Sequence, residues 1–328
     1  MTPSVNTPIL IVNSLHFTEG ITMTKKRNDV LELWRFIFCI MVLGFHFFSK
    51  IESELFHAGY LGVEFFFLVS GYFIGSFYTK QLSGKSFSNR LKAIGAYICS
   101  RLKRLYPLYL AALFLMLFIR SFINHYGLWD MLTLAKNCFA EFIMLQWTPI
   151  GNEVLISADW YVPAVFWGGI FFVILLTLTG KIGGYILAPA ISFFIYRYYF
   201  ILIGKIDIIV YYHCVLRGIA GLGLGIFIYF LCQAIKDFPS YLSRILFPVS
   251  NVILLGVFVY SQFGHRSKWD FFIIALYAIC LSILMKAEIP IQNKKIKSAF
   301  GLLGKITYPV YIFQMPVIEL FLALFHLA

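Results

Sequence analysis

Apolar residues in this chain recur in unbroken runs of about 20, the pattern of helices that cross a bilayer, and not in the alternation of half-buried strands. The runs are Val30–Phe48, Tyr60–Tyr78, Leu105–Ile123, Trp160–Leu178, Gly183–Ile203, Val210–Cys232, Ile245–Phe263, Trp269–Met285 and Ile306–Leu327. A further run, Met131–Trp147, contains Lys136, Asn137 and Glu141, and it suits a polar span, a re-entrant segment or an interfacial helix. The pattern predicts an all-α, polytopic transmembrane helix bundle of about nine or ten spans.

Composition narrows the class further. Of the 328 residues 60% are hydrophobic and only 13% charged, with 36 Phe, 20 Tyr and 6 Trp, and a water-soluble fold would lack the polar surface to cover itself. A porin-like barrel is excluded because its strands alternate over about ten residues. The six cysteines form no C-x-x-C pair and fall mostly in or beside apolar runs, which points to neither disulfides nor zinc.

The net charge of +12 raises nucleic acid as a partner, but the cations sit mainly between the apolar runs, where they set orientation and attract anionic headgroups. No nucleic acid is expected; membrane lipids are. With Met131–Trp147 left uncrossed, one side of the membrane receives 17 Lys and Arg residues and the other 6. The positive-inside rule then gives nine crossings with the N-terminus cytoplasmic, in a cytoplasmic (inner) membrane. If that run crossed, the basic Lys286–Lys297 connection would face outward.

Residues 1–22 lack the basic start and cleavage site of a signal peptide, whereas Met23 precedes the cluster Lys25-Lys26-Arg27 beside the first run. Residues 1–22 are therefore read as an extension that activity does not need, and 23–328 as one membrane domain without internal repeats.

Ionisable residues inside spans are costly and form the natural search list for function. They are Glu32, Arg35 and His46 in the first run, Glu64 in the second, Arg197 and Arg217 in the fifth and sixth, and Glu319 in the last. Arg35 and His46 are eleven residues apart, about three helical turns, so they share one face at an axial separation of about 16 Å. Glu32, Cys39 and Leu43 lie on the same stripe. The plain alternative is an Arg35 that snorkels and pairs with Glu32 and an interfacial His46.

Leu33-Trp34-Arg35, ten residues, then His46-Phe47 resembles the R-x10-H signature of the acyltransferase 3 family of integral membrane acyltransferases. The stretch from Gly59 to Tyr72, containing Gly62-Val63-Glu64-Phe65-Phe66-Phe67 and Ser70-Gly71, is similar to that family's G-x-x-G-V-[D/E]-x-F-F-x-x-S-G block. Arg101-Leu102-Lys103-Arg104-Leu105-Tyr106-Pro107 resembles its R-x-x-R-[L/I]-x-P element. Arg217-Gly218, Gly223-x-Gly225 and the segment Leu303–Ile312 match later blocks more loosely. The order is that of the family from about residue 28 onward. The last block departs from it, with Thr307 for Ser and Gln314 for His.

The resemblance implies acyl transfer from acyl-CoA, with acetyl-CoA the expected co-substrate and no permanently bound cofactor or metal. Such chemistry needs a base, and a neutral imidazole is well matched to take a hydroxyl proton near pH 7, so His46 is the candidate general base. Gln314 cannot take a proton, leaving His46 as the one histidine base. Arg101 and Arg104 are the candidates for the donor's phosphates, and Arg35 for its acidic end or thioester carbonyl. Glu64 is the candidate for orienting His46 or binding the acceptor, and its plain reading is a helix N-terminal carboxylate. Ser70 and Gly71 read as close helix packing. Trp147, Asp159 and Trp160 suit a sugar or an interface. His57, His125, His213, His265 and His326 show no metal spacing and read as interfacial.

The leading function is O-acylation of a cell-surface or lipid-linked glycan. The alternatives are a transporter or flippase of a glycolipid-like amphiphile, since intramembrane charges also line transport paths, and an inactive relative, which Gln314 suggests.

Overall fold

The computed structural model describes residues 28–148, 150, 153–208, 212–287 and 291–325. Residues 1–22 and His326 lie outside the described residues. The elements are α1 (Asp29–Lys50), α2 (Gly62–Phe77), α3 (Phe87–Ile123), α4 (Leu128–Asn137), α5 (Phe139–Phe142), α6 (Tyr161–Thr179), α7 (Ala188–Tyr198), α8 (His213–Ala234), α9 (Ser240–Tyr260), α10 (Trp269–Lys286) and α11 (Lys294–Leu324). Among the described residues there is no strand, and nine helical segments are long and apolar enough to cross a membrane. α2, α6 and α7 reach that length with flanking turns, as Gly59–Leu82, Ser157–Thr179 and Gly183–Ile203. The all-α polytopic bundle expected from the sequence is the fold.

Contacts between connections define two ends. At one, Asn28 Nδ2 donates to the Leu284 carbonyl (2.9 Å), Arg90 Nη1 to the Thr177 carbonyl (3.1 Å), and Lys286 pairs with Asp237 (2.6 Å). At the other, Glu319 meets Lys50 (3.9 Å) and Arg120 (3.5 Å), and Asp207 meets Arg266 (2.7 Å). The first is the cation-rich end. Lys286 and Lys294 share it with Lys80 and Arg90, as nine crossings require.

Met131–Trp147 folds as a re-entrant segment. The Tyr109 hydroxyl donates to the Glu141 carbonyl (2.9 Å), Tyr106 to that of Phe142 (2.7 Å), and Trp167 Nε1 to that of Met144 (2.9 Å), all from well inside α3 and α6. Non-helical backbone at that depth must find its partners in protein. Here Glu141 supplies two, since its buried carboxylate accepts from the backbone N–H groups of Leu155 and Ile156.

Two helices are longer than the apolar runs predict. α3 begins at Phe87 and has 37 residues, about 55 Å, and α11 begins at Lys294. Hydropathy detects only the immersed part of a helix, and from Phe87 to Leu105 no proline interrupts the hydrogen-bond ladder. The cation-rich stretch between the second and third apolar runs is therefore in large part helical, and it holds Arg101 and Arg104 at fixed angles.

Lipid gives helices no hydrophobic reason to associate, so small residues that admit close contact decide the packing. α2 and α8 each carry a G-x-x-x-G step, Gly71–Gly75 and Gly221–Gly225, and lie against one another. A Cβ on Gly71 would strike the Leu222 carbonyl, and one on Gly225 the Leu68 carbonyl. Gly71 is a packing residue, as the sequence suggests.

Candidate functional site

A cavity of about 650 Å³ opens between α1, α2, α3 and α6 toward the cation-rich end, and Arg35, Arg101 and Arg104 all line it. A smaller chamber of about 80 Å³ shares those three arginines with Phe66, Ser70 and Tyr161, and continues inward to Thr307, Tyr308 and Tyr311 of α11. Three of the residues singled out in the sequence thus converge, although Arg35 comes from a helix remote in sequence from the other two.

The anionic content of this cavity is small. Arg35 Nη1 bonds Glu32 Oε2 at 2.7 Å, which is the pairing expected of a plain snorkelling arginine, yet the guanidinium still borders the cavity. Arg101 stacks on Tyr97, 5.1 Å from the ring centroid, and neither Arg101 nor Arg104 has a carboxylate partner among the described residues. Their position follows from local sequence: Arg101 and Arg104 are three residues apart on α3 and so share a face, while Lys103 is exposed and does not line the cavity. Pro107, one turn later, removes the helical bond to the Lys103 carbonyl. Ser70 Oγ lies 3.3 Å from the Tyr161 hydroxyl in the throat, with no base beside it.

His46 does not line either chamber. α1 and α11 run side by side in the same direction, with Cys39 Sγ against the Thr307 carbonyl (3.4 Å), Phe47 against Phe321 and Lys50 against Glu319. That register sets half-buried His46 in the layer of Gln314 and Met315, about one helical turn beyond Tyr311 and the deep end of the cavity.

Glu64 is not beside His46. Its fully buried carboxylate meets Arg217 Nε in an ion pair and accepts from the Tyr196 hydroxyl at 3.4 Å. Arg217, also fully buried, further donates to Asp207 (3.1 Å) and to the Tyr60 carbonyl (3.2 Å), and lies 4.8 Å over the Trp160 ring. The reason is depth: Glu64 stands in the first turn of α2 and Arg217 in the second turn of α8, two helices in intimate contact. The arrangement ties α2, α7 and α8 together, with Trp160 packed on it from just before α6. Arg197 is exposed, and Glu319 closes the far end with Lys50 and Arg120.

A second group joins Trp147, Asp159 and Gln314, each noted singly in the sequence, to Gln146, which was not. Both carboxylate oxygens of Asp159, the Gln314 amide, Gln146 Oε1 and Trp147 Nε1 are buried with no hydrogen-bond partner among the described residues. The re-entrant segment carries two of them inward, and Tyr311, whose hydroxyl donates to the Ala158 carbonyl at 2.7 Å, draws Asp159 toward α11. Buried polar atoms without partners are rare and call for an occupant such as water or a ligand hydroxyl. No sequence spacing marks this group, because it depends on the re-entrant fold of residues 138–147.

No curated protein and no solved structure matches the chain. The family model described as an acyltransferase domain matches residues 28–328, a stretch that takes in all nine candidate membrane-spanning helices among the described residues. The chain therefore belongs to the acyltransferase 3 family and is a multi-pass membrane acyltransferase.

Proposed function

We propose that this acyltransferase moves an acyl group, acetyl by the family resemblance, from acyl-CoA to a hydroxyl of a cell-surface or lipid-linked glycan. The cation-rich end faces the cytoplasm in this reading, and the membrane is the cytoplasmic (inner) one. One observation carries the proposal: three guanidinium groups around a cavity of about 650 Å³ with only Glu32 to balance them. Planar guanidinium groups suit phosphate oxygens, and charge-assisted bonds of this kind are worth about 1.5–3 kcal/mol each.

The donor's phosphates would lie on Arg101 and Arg104, with the pantetheine arm running inward past Phe66 and Tyr161 toward Tyr308 and Tyr311. Arg35, held against Glu32 beside Arg101 and Arg104, would meet the donor's acidic end. His46, in the layer beyond Tyr311, takes the proton from the acceptor hydroxyl as its oxygen attacks the thioester carbonyl. The C–S bond breaks, the thiolate leaves, and the imidazolium returns the proton to sulfur. The unpartnered Asp159, Gln314 and Trp147 supply acceptors and donors for sugar hydroxyls between the donor cavity and the far end. Glu64 acts through the fold, by holding Arg217.

Transfer of labelled acetyl from acetyl-CoA, measured with the protein in liposomes, tests this. Arg101→Ala and Arg104→Ala should each raise the Kd for acetyl-CoA at least tenfold, and Lys103→Ala, a change of the same charge on the same helix, should change it less than threefold. Equal effects at all three positions would reduce the cavity to surface electrostatics, and unchanged affinity in Arg101→Ala together with Arg104→Ala would overturn the donor site.

A further inference from the structure

The sequence offers no metal-ligand spacing, yet the fold brings Glu54, His57 and His265 together at the end of the bundle opposite the cation-rich one. Their ligand atoms all lie within 4.8 Å of one another. Glu54 and His57 belong to the connection between α1 and α2, and His265 to that between α9 and α10. The two imidazole rings have centroids 5.0 Å apart, and the backbone N–H of Ala58 donates to the Ser261 carbonyl at 3.1 Å, so the connections are already joined beside the cluster. Glu52 and Phe56, with φ of 55° and 57°, hold the first connection in a tight path.

We propose that Glu54, His57 and His265 bind one divalent transition-metal ion, zinc by ligand chemistry, which staples these two connections together. Two imidazoles and one carboxylate form a set suited to zinc, with water in the fourth position, whereas calcium and magnesium prefer oxygen ligands throughout. In a tetrahedral site with bonds of about 2.0–2.1 Å the ligand atoms stand about 3.4 Å apart, so closure needs side-chain movements of about 1.4 Å at most. Glu54 and His265 are exposed and His57 half-buried, and all three are free to make them.

The surrounding charge favours a cation. A cavity of about 190 Å³ at this place is lined by Glu52, Glu54, His57 and Arg266. Arg266 is the one obvious opponent, but its Nε pairs with Asp207 at 2.7 Å and its guanidinium lies over the rings of Phe45 and Tyr60, at 5.6 and 5.5 Å. Its charge is thereby compensated, and its side chain is held on those rings at the border of the cavity. The same cavity is lined by Ser49 and Phe45 from the last turns of α1, so an ion here would fix the end of the helix that carries His46.

The test is a zinc titration of untagged, chelator-stripped protein in detergent, in competition with a chromogenic chelator and with magnesium present throughout. A Cys99→Ser background removes the exposed thiol. The expected result is one zinc ion per chain, with affinity at least tenfold lower in His57→Ala and in His265→Ala and unchanged in His125→Ala. Zinc should also raise the thermal unfolding midpoint of the parent protein and leave that of His265→Ala where it was. Wild-type zinc affinity in the His57→Ala/His265→Ala double variant would overturn the site, as would an equal loss in His125→Ala. If either alanine variant fails to fold, the same comparison with His57→Gln and His265→Gln decides.

Discussion

Arg217 and Glu64 are both fully buried and paired, yet the structure makes their removal unequal. In Arg217→Met the side chain keeps its approximate volume, while Glu64 is left with only the Tyr196 hydroxyl at 3.4 Å and the Tyr60 carbonyl loses its donor. An uncompensated buried charge of this kind costs about 3–5 kcal/mol. In Glu64→Gln, by contrast, the amide oxygen still accepts from Arg217 Nε, and Arg217 keeps Asp207 at 3.1 Å. The loss is that of the second charge, from a bond between two ions to a bond with one ionised partner, about 1–1.5 kcal/mol. The double variant Glu64→Gln/Arg217→Met removes the stranded charge along with its partner, and should recover about 2 kcal/mol of what Arg217→Met loses. Unfolding in mixed micelles, followed by tryptophan fluorescence, measures all four corners of the cycle. Additive effects, or Glu64→Gln as destabilising as Arg217→Met, would refute the reasoning. Turnover separates the two readings of Glu64: a packed ion pair predicts activity within tenfold of wild type in Glu64→Gln, and a well-folded but inactive variant would return this carboxylate to the chemistry.

Three further outcomes are expected. His46→Gln, which keeps a hydrogen-bonding side chain and loses the base, should lower acyl transfer at least a hundredfold while acetyl-CoA still binds; near-normal turnover would remove this histidine from the mechanism. Gly71→Val drives a branched side chain into the Leu222 carbonyl, and should cut the yield of folded protein well below that of Gly95→Val, whose site has open space around it; equal yields would show that α2 and α8 do not pack as described. A cysteine placed at Lys295 should resist an impermeant thiol reagent added from outside, and one at Lys268 should react; labelling at position 295 would place the cation-rich end outside.

What the sequence revealed and what it concealed divide along physical lines. Lipid imposes a length and a composition on every crossing, so the nine spans are legible in apolar runs alone. A charge count on alternate connections was enough to leave Met131–Trp147 uncrossed, but its depth depends on hydrogen bonds from Tyr106, Tyr109 and Trp167, which are ordinary membrane aromatics until the helices are assembled. Arg101 and Arg104 stand out in the sequence through the R-x-x-R-L-x-P element that resembles the family's, and the helix then sets both on the cavity face while Lys103 is left out of it. The partner of Glu64 was hidden because a carboxylate at a helix start has several physically reasonable roles, and the choice among them was made by Arg217, far along the chain. The juxtaposition of His57 and His265 is of the same kind.

Counting cations shows which end of the bundle is basic, but it cannot distinguish an arginine that holds the fold from one that waits for a ligand. The state of pairing can. An arginine placed among helices for structural reasons comes with its compensation, since an uncompensated buried charge is expensive. Arg217 has Glu64 and Asp207, Arg266 has Asp207, Arg120 has Glu319, and Arg90 donates to the carbonyls of Lys85 and Thr177. Arg101 and Arg104 have no such partner, and both face the same cavity as Arg35. Among the described arginines without a carboxylate partner, Arg101 and Arg104 are the two that share a cavity with Arg35, and within a family whose reaction begins with an acyl donor that makes them the ones best placed to take a counterion from outside.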